Sequence, residues 1–307
     1  MSSVAGVAHN DHSAHHGPVH LDDAHWEEHL AQTELEGELL VGFVTGTGER
    51  VGGLRGPDAP PVRRVLDVGS GPGVGTCELA RLFPEAHVIA LDGSPATLAR
   101  VKQRAGEHGL GERISTHHAE LPGGLDGLEP VEVIWASMAL HHVGDEVALL
   151  RALHDLLEPA GIIAIAEMAE PMRVLPDDLD VGRPGLAERL EAAGTTWFAA
   201  MREGLDGAMP SADVPSMLAS AGFDVVDSRT LHERFDAPLP DTARQVVLGH
   251  LRRNRTHLDE LLDDEDIAAI DVLTDDDDPR SVARRADVFV AASRQIVIGR
   301  RRASTVV

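Results

Sequence analysis

The sequence predicts an α/β protein with a doubly wound sheet, in which parallel strands are covered by helices on both faces. Short apolar runs alternate with helical patterns between residues 63 and 168, and this alternation is typical of parallel sheets. A glycine-rich turn joins the first apolar run to a helix, and the second run ends in an acid. The chain has 307 residues, 43% of them apolar, which suits one enlarged domain.

The individual elements follow from the apolar runs and the residues that flank them. The predicted strands are residues 65–68, 87–92, 111–122 with its exit loop, 131–136, 161–168, 222–227 and 294–300. The predicted helices are residues 21–51, 76–83, a helix from 95, 145–157, 185–193, 195–205 and 214–221. A further helical insertion, with an apolar stripe at residues 241–262, precedes the last strand.

The glycine turn after the first strand narrows the class of ligand. Gly69, Gly71 and Gly73 stand at alternate positions, and a turn without side chains lets a ligand approach the backbone at a helix start. A dinucleotide-binding turn needs a small third residue in G-x-G-x-x-G/A, but Val74 or Thr76 occupies that position in the two possible registers. A phosphate-binding P-loop is excluded because no Gly-Lys-Ser/Thr is present.

The spacing instead resembles motif I of the class I S-adenosylmethionine (AdoMet)-dependent methyltransferases, over residues 66–73. The resemblance runs from residue 63 to residue 168 and is loose elsewhere. It implies a Rossmann-like sheet of seven strands, mostly parallel with an antiparallel last strand, with AdoMet as cofactor and S-adenosylhomocysteine (AdoHcy) as product. The nearest group contains quinone-biosynthesis and natural-product methyltransferases, which implies a small-molecule acceptor and a place in secondary metabolism.

Cofactor contacts are expected at the ends of the first four strands. Asp92, at the end of the second strand, is placed to accept both ribose hydroxyls, although it could instead be a surface acid that caps the following helix. The resemblance puts the methionine end of AdoMet on the glycine turn, with Asp67 nearby to order its amino group or a water. It puts adenine at the third-strand exit, where His118 replaces the usual Asp; His118 could stack or hydrogen-bond there, or Glu120 could substitute. The predicted cofactor-binding residues are Asp67, Gly69, Ser70, Gly71, Gly73, Asp92, Gly93, Ser94, His118, Ala119, Glu120, Ala136, Ser137 and Met138.

The implied reaction is an in-line displacement, for which the protein must orient the nucleophile and the methyl group. His141 and His142, in an Ala-Leu-His-His exit from the fourth strand, are the first candidates for proton transfer because histidine titrates near neutral pH. One of them could instead cap a helix or pack the loop, and Glu167 is the next candidate. No metal is expected, because residues 137–139 carry no acid where metal-assisted O-methylation needs several. Methylation of oxygen, nitrogen or carbon stays open.

Composition excludes some partners. The formal net charge of −24 argues against nucleic acid and anionic membrane surfaces. Cys77 is the only cysteine, which excludes an internal disulfide and suits a reducing cytoplasm. No apolar run reaches the roughly 20 residues of a membrane span. Two rival classes remain: a protein that binds AdoMet or AdoHcy without catalysis and, less favoured, a nicotinamide-dependent oxidoreductase.

Four regions are expected along the chain. They are a disordered His-rich tail at residues 1–20, a helical lid and linker at 21–60, the cofactor-binding core at 61–170, and acceptor-side insertions with the last two strands at 171–307. His25 and His29 match an H-x-x-E-H zinc pattern, but no third ligand is evident. The stripe at 241–262 predicts a homodimer face, a wall of the acceptor pocket, or buried core.

Overall fold

The protein, in a computed structural model, is described for residues 23–207 and 213–302, with side chains from residue 26 onward. The strands of the described ranges are β1 (Arg64–Val68), β2 (His87–Asp92), β3 (Ile114–His118), β4 (Val131–Ser137), β5 (Leu157–Arg173), β6 (Phe223–Phe235) and β7 (Val290–Arg301). They form one seven-stranded sheet in the order β3-β2-β1-β4-β5-β7-β6. Only β7 runs antiparallel to its neighbours in this sheet. This arrangement confirms the predicted fold class.

Helices cover both faces of the sheet. They are α1 (Asp23–Leu39), α2 (Gly42–Arg55), α3 (Val74–Leu82), α4 (Pro95–Glu107), α5 (Glu146–Leu156), α6 (Leu186–Glu203), α7 (Val214–Ser220), α8 (Asp241–His257) and α9 (Asp264–Thr274). Ser94, Asp145, Asp213 and Asp263 begin α4, α5, α7 and α9, since each side chain accepts a hydrogen bond from an amide of the first turn.

Burial on both faces explains why the strands are apolar throughout. In β4, Val133 and Trp135 pack with α3 and α4, whereas Ile134 and Ala136 pack with α5 and α7 on the other face. A strand covered on both sides has no polar face, so its sequence is a continuous apolar run rather than an alternation.

Several predicted boundaries were wrong, in each case because distant contacts override the local pattern. The single helix expected at residues 21–51 is two helices, α1 and α2. The pair expected at 185–193 and 195–205 is one helix, α6, which continues through Gly194. β5, β6 and β7 extend beyond their predicted ends because β7 pairs along most of the length of both neighbours.

The insertion between β6 and β7 builds a third apolar cluster. Its stripe residues Ala243, Val246, Val247 and Leu251 are fully buried with side chains of β5 and α6. These side chains therefore belong to the buried core and are not available as a dimer face. A homodimer through other surfaces of the C-terminal helices stays a prediction. Within the described ranges, no helix has the length and apolar character to cross a membrane. The predicted tail at residues 1–20 lies outside the described residues.

Candidate cofactor and catalytic site

The glycine turn between β1 and α3 combines two packed positions with one open position. Gly69, Gly71 and Gly73 all have positive φ angles, +67°, +52° and +87°, which favour glycine. A Cβ atom on Gly69 would lie 2.6 Å from Cβ of Ala139, and one on Gly73 would lie 3.1 Å from Cα of Val101. A Cβ on Gly71 would meet nothing within 4 Å. Gly71 therefore borders free space at the carboxyl edge of the sheet.

Ser70, next to Gly71 in the turn, carries a buried polar group. Its side chain is 8% exposed, and its Oγ is buried without a hydrogen-bond partner in the described part of the chain. Buried hydroxyls normally have a partner, because an unpaired one costs about 1–3 kcal/mol. The orphaned Oγ beside an open turn fits a polar ligand such as the amino-acid end of AdoMet.

Asp67 is buried in β1 beneath the turn. Its Oδ2 accepts a hydrogen bond of 2.6 Å from Oγ1 of Thr76, in the first turn of α3. Desolvation raises the pKa of Asp67 to about 7; the bond from Thr76 opposes this shift, and the charge of Asp92 adds to it. Asp67 is thus a buried carboxyl group whose pKa lies in the neutral range.

Asp92, at the end of β2, is held in a fixed orientation. The amide of Gly71 donates to Oδ2 at 3.1 Å, and the amide of Ser94 donates to Oδ1 at 2.9 Å. Desolvation raises the pKa of Asp92, while these two amides and His118 oppose the shift. One carboxylate therefore joins the glycine turn to the β2 exit, with lone pairs left for further donors such as ribose hydroxyls.

The β3 exit lies beside the β2 exit, as predicted for the adenine contacts. Nε2 of His118 donates to the carbonyl oxygen of Gly93 at 2.9 Å, so this nitrogen is already engaged. Ala119 is buried, and its amide donates to Asp92 O at 3.2 Å. Glu120 is exposed, and its carboxylate lies 3.4 Å from a Cβ built on Gly93. The fold thus brings these predicted residues together.

The β4 exit follows an unusual backbone path that a single carboxylate stabilises. Met138 adopts a left-handed conformation at φ +53°, which is uncommon for a residue with a side chain, and its amide donates to Ala166 O in β5 at 2.8 Å. Oε1 of Glu167 then accepts from the amides of Ala139 and Leu140, at 3.1 and 2.9 Å. Glu167 therefore fixes the loop that carries the histidine pair.

The histidine pair has one oriented member and one desolvated member. Nδ1 of His141 donates to Oε2 of Glu167 at 2.7 Å, which leaves Nε2 of a neutral ring free to accept a proton. The two imidazole rings of His141 and His142 are 4.2 Å apart. His142 reaches the surface, yet crowding by protein atoms desolvates its ring and, together with His141, lowers its pKa to about 4. His142 is therefore neutral at pH 7.

Helix α6 packs against this pair, which the sequence did not predict. The ring of Phe198 lies 5.4 Å from the ring of His141. Arg202 donates to the His141 carbonyl oxygen at 3.0 Å and forms an ion pair with buried Glu146 at the start of α5. No sequence signal links these residues, because Arg202 and His141 are 61 positions apart.

Helix α1 crosses over the glycine turn. A Cβ on Gly37 would lie 3.2 Å from Cβ of Val74, the first residue of α3. On one side Glu34 pairs with Arg100 and Arg104 of α4, and on the other Glu36 pairs with Arg253 of α8 at 2.6 Å. α1 is thus anchored to both the sheet domain and the insertion, as a covering helix would be.

Metal ligation has no support in this part of the molecule. Among residues 26–207 and 213–302, no group of three or more His, Cys, Asp or Glu side chains is arranged to hold a metal ion. The remaining histidines of the predicted tail, and the side chain of His25, lie outside the described residues.

Comparison with known proteins finds a family match in the part of the chain that contains β1 to β4. Residues 65–161 match the model of a family described as a methyltransferase domain. A trans-aconitate 2-methyltransferase of Methylobacterium radiotolerans is 33% identical over 139 residues, 42% of this chain and 51% of that protein. A malonyl-[acyl-carrier protein] O-methyltransferase of Dechloromonas aromatica is 33% identical over 116 residues, 36% of this chain and 38% of that protein.

The likeness to solved structures covers more of the chain. A candidate methyltransferase of Bacillus halodurans superimposes with a TM-score of 0.50 at 13% identity, over 83% of this chain and 99% of that one. At this identity the likeness concerns the fold. The sequence matches span about half of the first of these curated relatives and 38% of the second, and most of this chain lies outside each match.

Proposed function

From its class I AdoMet-dependent methyltransferase domain, at residues 65–161, we propose that this protein transfers a methyl group from AdoMet to a small-molecule acceptor. The observation that carries the proposal is the open glycine turn. Gly71 borders free space, Oγ of the adjacent Ser70 is buried without a partner, and the carboxylate of Asp92 accepts from the Gly71 amide. The His141–Glu167 pair lies one strand away.

Different residues around the turn bind different parts of the cofactor. AdoMet supplies an electrophilic methyl group on a sulfonium. The turn at Gly71 and Ser70 receives the amino-acid end, and Asp67 in its ionised form supplies a negative charge for the ammonium group. Asp92 accepts the ribose hydroxyls, since both of its oxygens are already oriented by amides. Glu120, Gly93 and Ser94 border the adenine side.

His141 acts as the general base when the acceptor nucleophile carries a proton. Its free Nε2 accepts the proton, and Glu167 holds the opposite nitrogen and stabilises the imidazolium that forms. Glu167 is thereby a positioning residue rather than the base, because two amides and His141 already occupy its carboxylate. His142, whose pKa is lowered to about 4, is a weak base at neutral pH and serves better as a neutral hydrogen-bonding group.

Two observations support the proposed class of acceptor: the named relatives and the net charge of the chain. The named relatives include methyltransferases of trans-aconitate and of malonyl-[acyl-carrier protein], so a small metabolite or a carrier-bound acyl group is the first class to test. The net charge of −24 disfavours nucleic acid. A cytoplasmic location and a role in secondary metabolism are parts of the same proposal, supported by the single buried Cys77 and the sequence resemblance.

Calorimetry and a turnover assay test the proposal separately. AdoMet and AdoHcy should bind the purified protein, and NAD should not; binding of NAD alone would overturn it. With methyl-labelled AdoMet, an acceptor panel containing trans-aconitate, malonyl-[acyl-carrier protein] and phenolic and amino metabolites should yield AdoHcy and a labelled product. AdoMet binding with no transfer to any acceptor would instead favour a non-catalytic binding protein.

A further inference from the structure

A small cavity lies between β5, α6 and α8, outside the matched methyltransferase domain. Its volume is about 80 Å³. Every residue around it follows residue 170, so the cavity lies outside residues 65–161, the range that matches the methyltransferase-domain model. Its lining combines apolar side chains with four polar ones, Arg173, Glu191, His250 and Asn254, and also includes Leu190 and Gly194.

Helix α6 links the cavity lining to the histidine pair of the candidate site through one of its faces. Leu190, Gly194 and Phe198 stand at four-residue steps, which places them on the same side of the helix. The first two line the cavity, and Phe198 contacts His141 at 5.4 Å between rings. Gly194 is one helical turn, roughly 6 Å, from Phe198. A molecule lying along this face would reach from the cavity to His141.

His250, which lines the cavity, has a buried ring nitrogen that lacks a hydrogen-bond partner. The Asn254 amide donates from Nδ2 to His250 Nε2 at 3.2 Å, so a neutral ring carries its hydrogen on Nδ1. Desolvation lowers the pKa of His250 to about 4, which keeps the ring neutral at pH 7. Nδ1 is buried and has no hydrogen-bond partner within the described ranges. A buried donor of this kind requires an accepting oxygen.

We propose that this cavity is the distal acceptor pocket and takes a compact apolar end of the acceptor with a carbonyl or ether oxygen, which accepts from Nδ1 of His250. This inference rests on the proposed methyl transfer, because it assigns the far end of the same substrate. The volume limits the group: an apolar cavity of about 150 Å³ holds benzene, so about 80 Å³ admits roughly three to four non-hydrogen atoms. A branched ketone or ester terminus has this size and chemistry.

Acetone is a suitable probe, because it has four non-hydrogen atoms and accepts but does not donate hydrogen bonds. Crystals of the full chain soaked in acetone should show it in the cavity, with its oxygen within hydrogen-bond distance of His250 Nδ1. An NMR titration should give saturable binding that His250→Phe weakens roughly tenfold, the loss expected for one buried hydrogen bond. Equal affinity in His250→Phe would overturn the assigned donor.

Gly194→Leu closes the cavity without a backbone penalty. Gly194 lies inside α6, and a Cβ there meets nothing within 4 Å, so the longer side chain extends into open space. Gly106→Leu, near the end of α4, is the matched control, since its Cβ also meets nothing within 4 Å. Gly194→Leu should abolish acetone binding, whereas Gly106→Leu should retain it. Unchanged acetone binding in Gly194→Leu would refute the pocket.

The same variants separate this inference from the proposed function. Gly194→Leu should keep the AdoHcy affinity of the wild type and raise the KM of any acceptor found in the turnover screen at least tenfold. If AdoHcy fails to bind the wild type, the methyltransferase proposal fails whatever the acetone result. If AdoHcy binds and Gly194→Leu leaves the acceptor KM unchanged, only the distal pocket is refuted.

Discussion

Replacing Asp67 with asparagine should stabilise the free protein above neutral pH and weaken its binding of AdoMet. The side chain is 2% exposed, and its pKa is raised to about 7. Because the folded state holds the proton more tightly than the unfolded state, the stability from Asp67 is present below the unfolded pKa. It is lost as pH rises through the folded pKa. Asparagine stays neutral and still accepts the Thr76 hydrogen bond through its carbonyl oxygen.

The magnitude follows from the two pKa values. A rise from 3.8 to about 7 is about three units at 1.36 kcal/mol each, or about 4 kcal/mol in all. About 2–3 kcal/mol of this loss falls between pH 5 and pH 8. The free energy of unfolding of Asp67→Asn, relative to wild type, should therefore increase by that amount over the interval. Asp58→Asn, at an exposed position in the loop before β1, should show no such change.

Urea denaturation at pH 5 and pH 8 measures the change in the free energy of unfolding. Calorimetry with AdoHcy measures the change in ligand affinity. Protonated Asp67 cannot pair with the ammonium group of the ligand, so wild-type affinity should fall as pH drops from 8 to 6, by at most tenfold per unit. Asp67→Asn should bind AdoHcy more weakly and without this slope. A stability difference that is equal at both pH values would refute the buried-proton reasoning, and an unchanged affinity would remove Asp67 from the binding site.

Three further substitutions test the remaining assignments. Gly71→Val should abolish AdoHcy binding in calorimetry, because the valine side chain enters the open space beside the turn. Gly109→Val is the control: Gly109 also has a positive φ and room for a Cβ atom, so this variant should carry similar backbone strain and still bind AdoHcy. Asp92→Ala should weaken AdoHcy by about 1–3 kcal/mol, the cost of unpaired hydroxyls, and full affinity would contradict the ribose role. His141→Ala should lower turnover of proton-bearing acceptors by roughly 10²–10⁴ with AdoHcy affinity unchanged, and full turnover would remove it as the base.

Local patterns were sufficient to predict structural features that depend on neighbouring residues. Glycines at alternate positions predict a turn. Two of them are also required by packing, because a Cβ atom on Gly69 would crowd Ala139 and one on Gly73 would crowd Val101. Asp92 could be predicted from its place at the end of an apolar run. The same patterns failed at helix boundaries such as Gly194, because packing of α6 outweighs the weak helix propensity of one glycine.

The sequence by itself therefore determined the class of fold, the likeness to methyltransferases and the positions expected to hold AdoMet. Tertiary structure alone decided how the catalytic side is arranged. Glu167 binds the loop of His141 from 26 residues away, and Arg202 does so from 61 residues away. The cavity at His250 exists only where β5, α6 and α8 meet. Glycine spacing and apolar runs express constraints between adjacent residues, whereas these contacts depend on how distant elements pack, which no local pattern encodes.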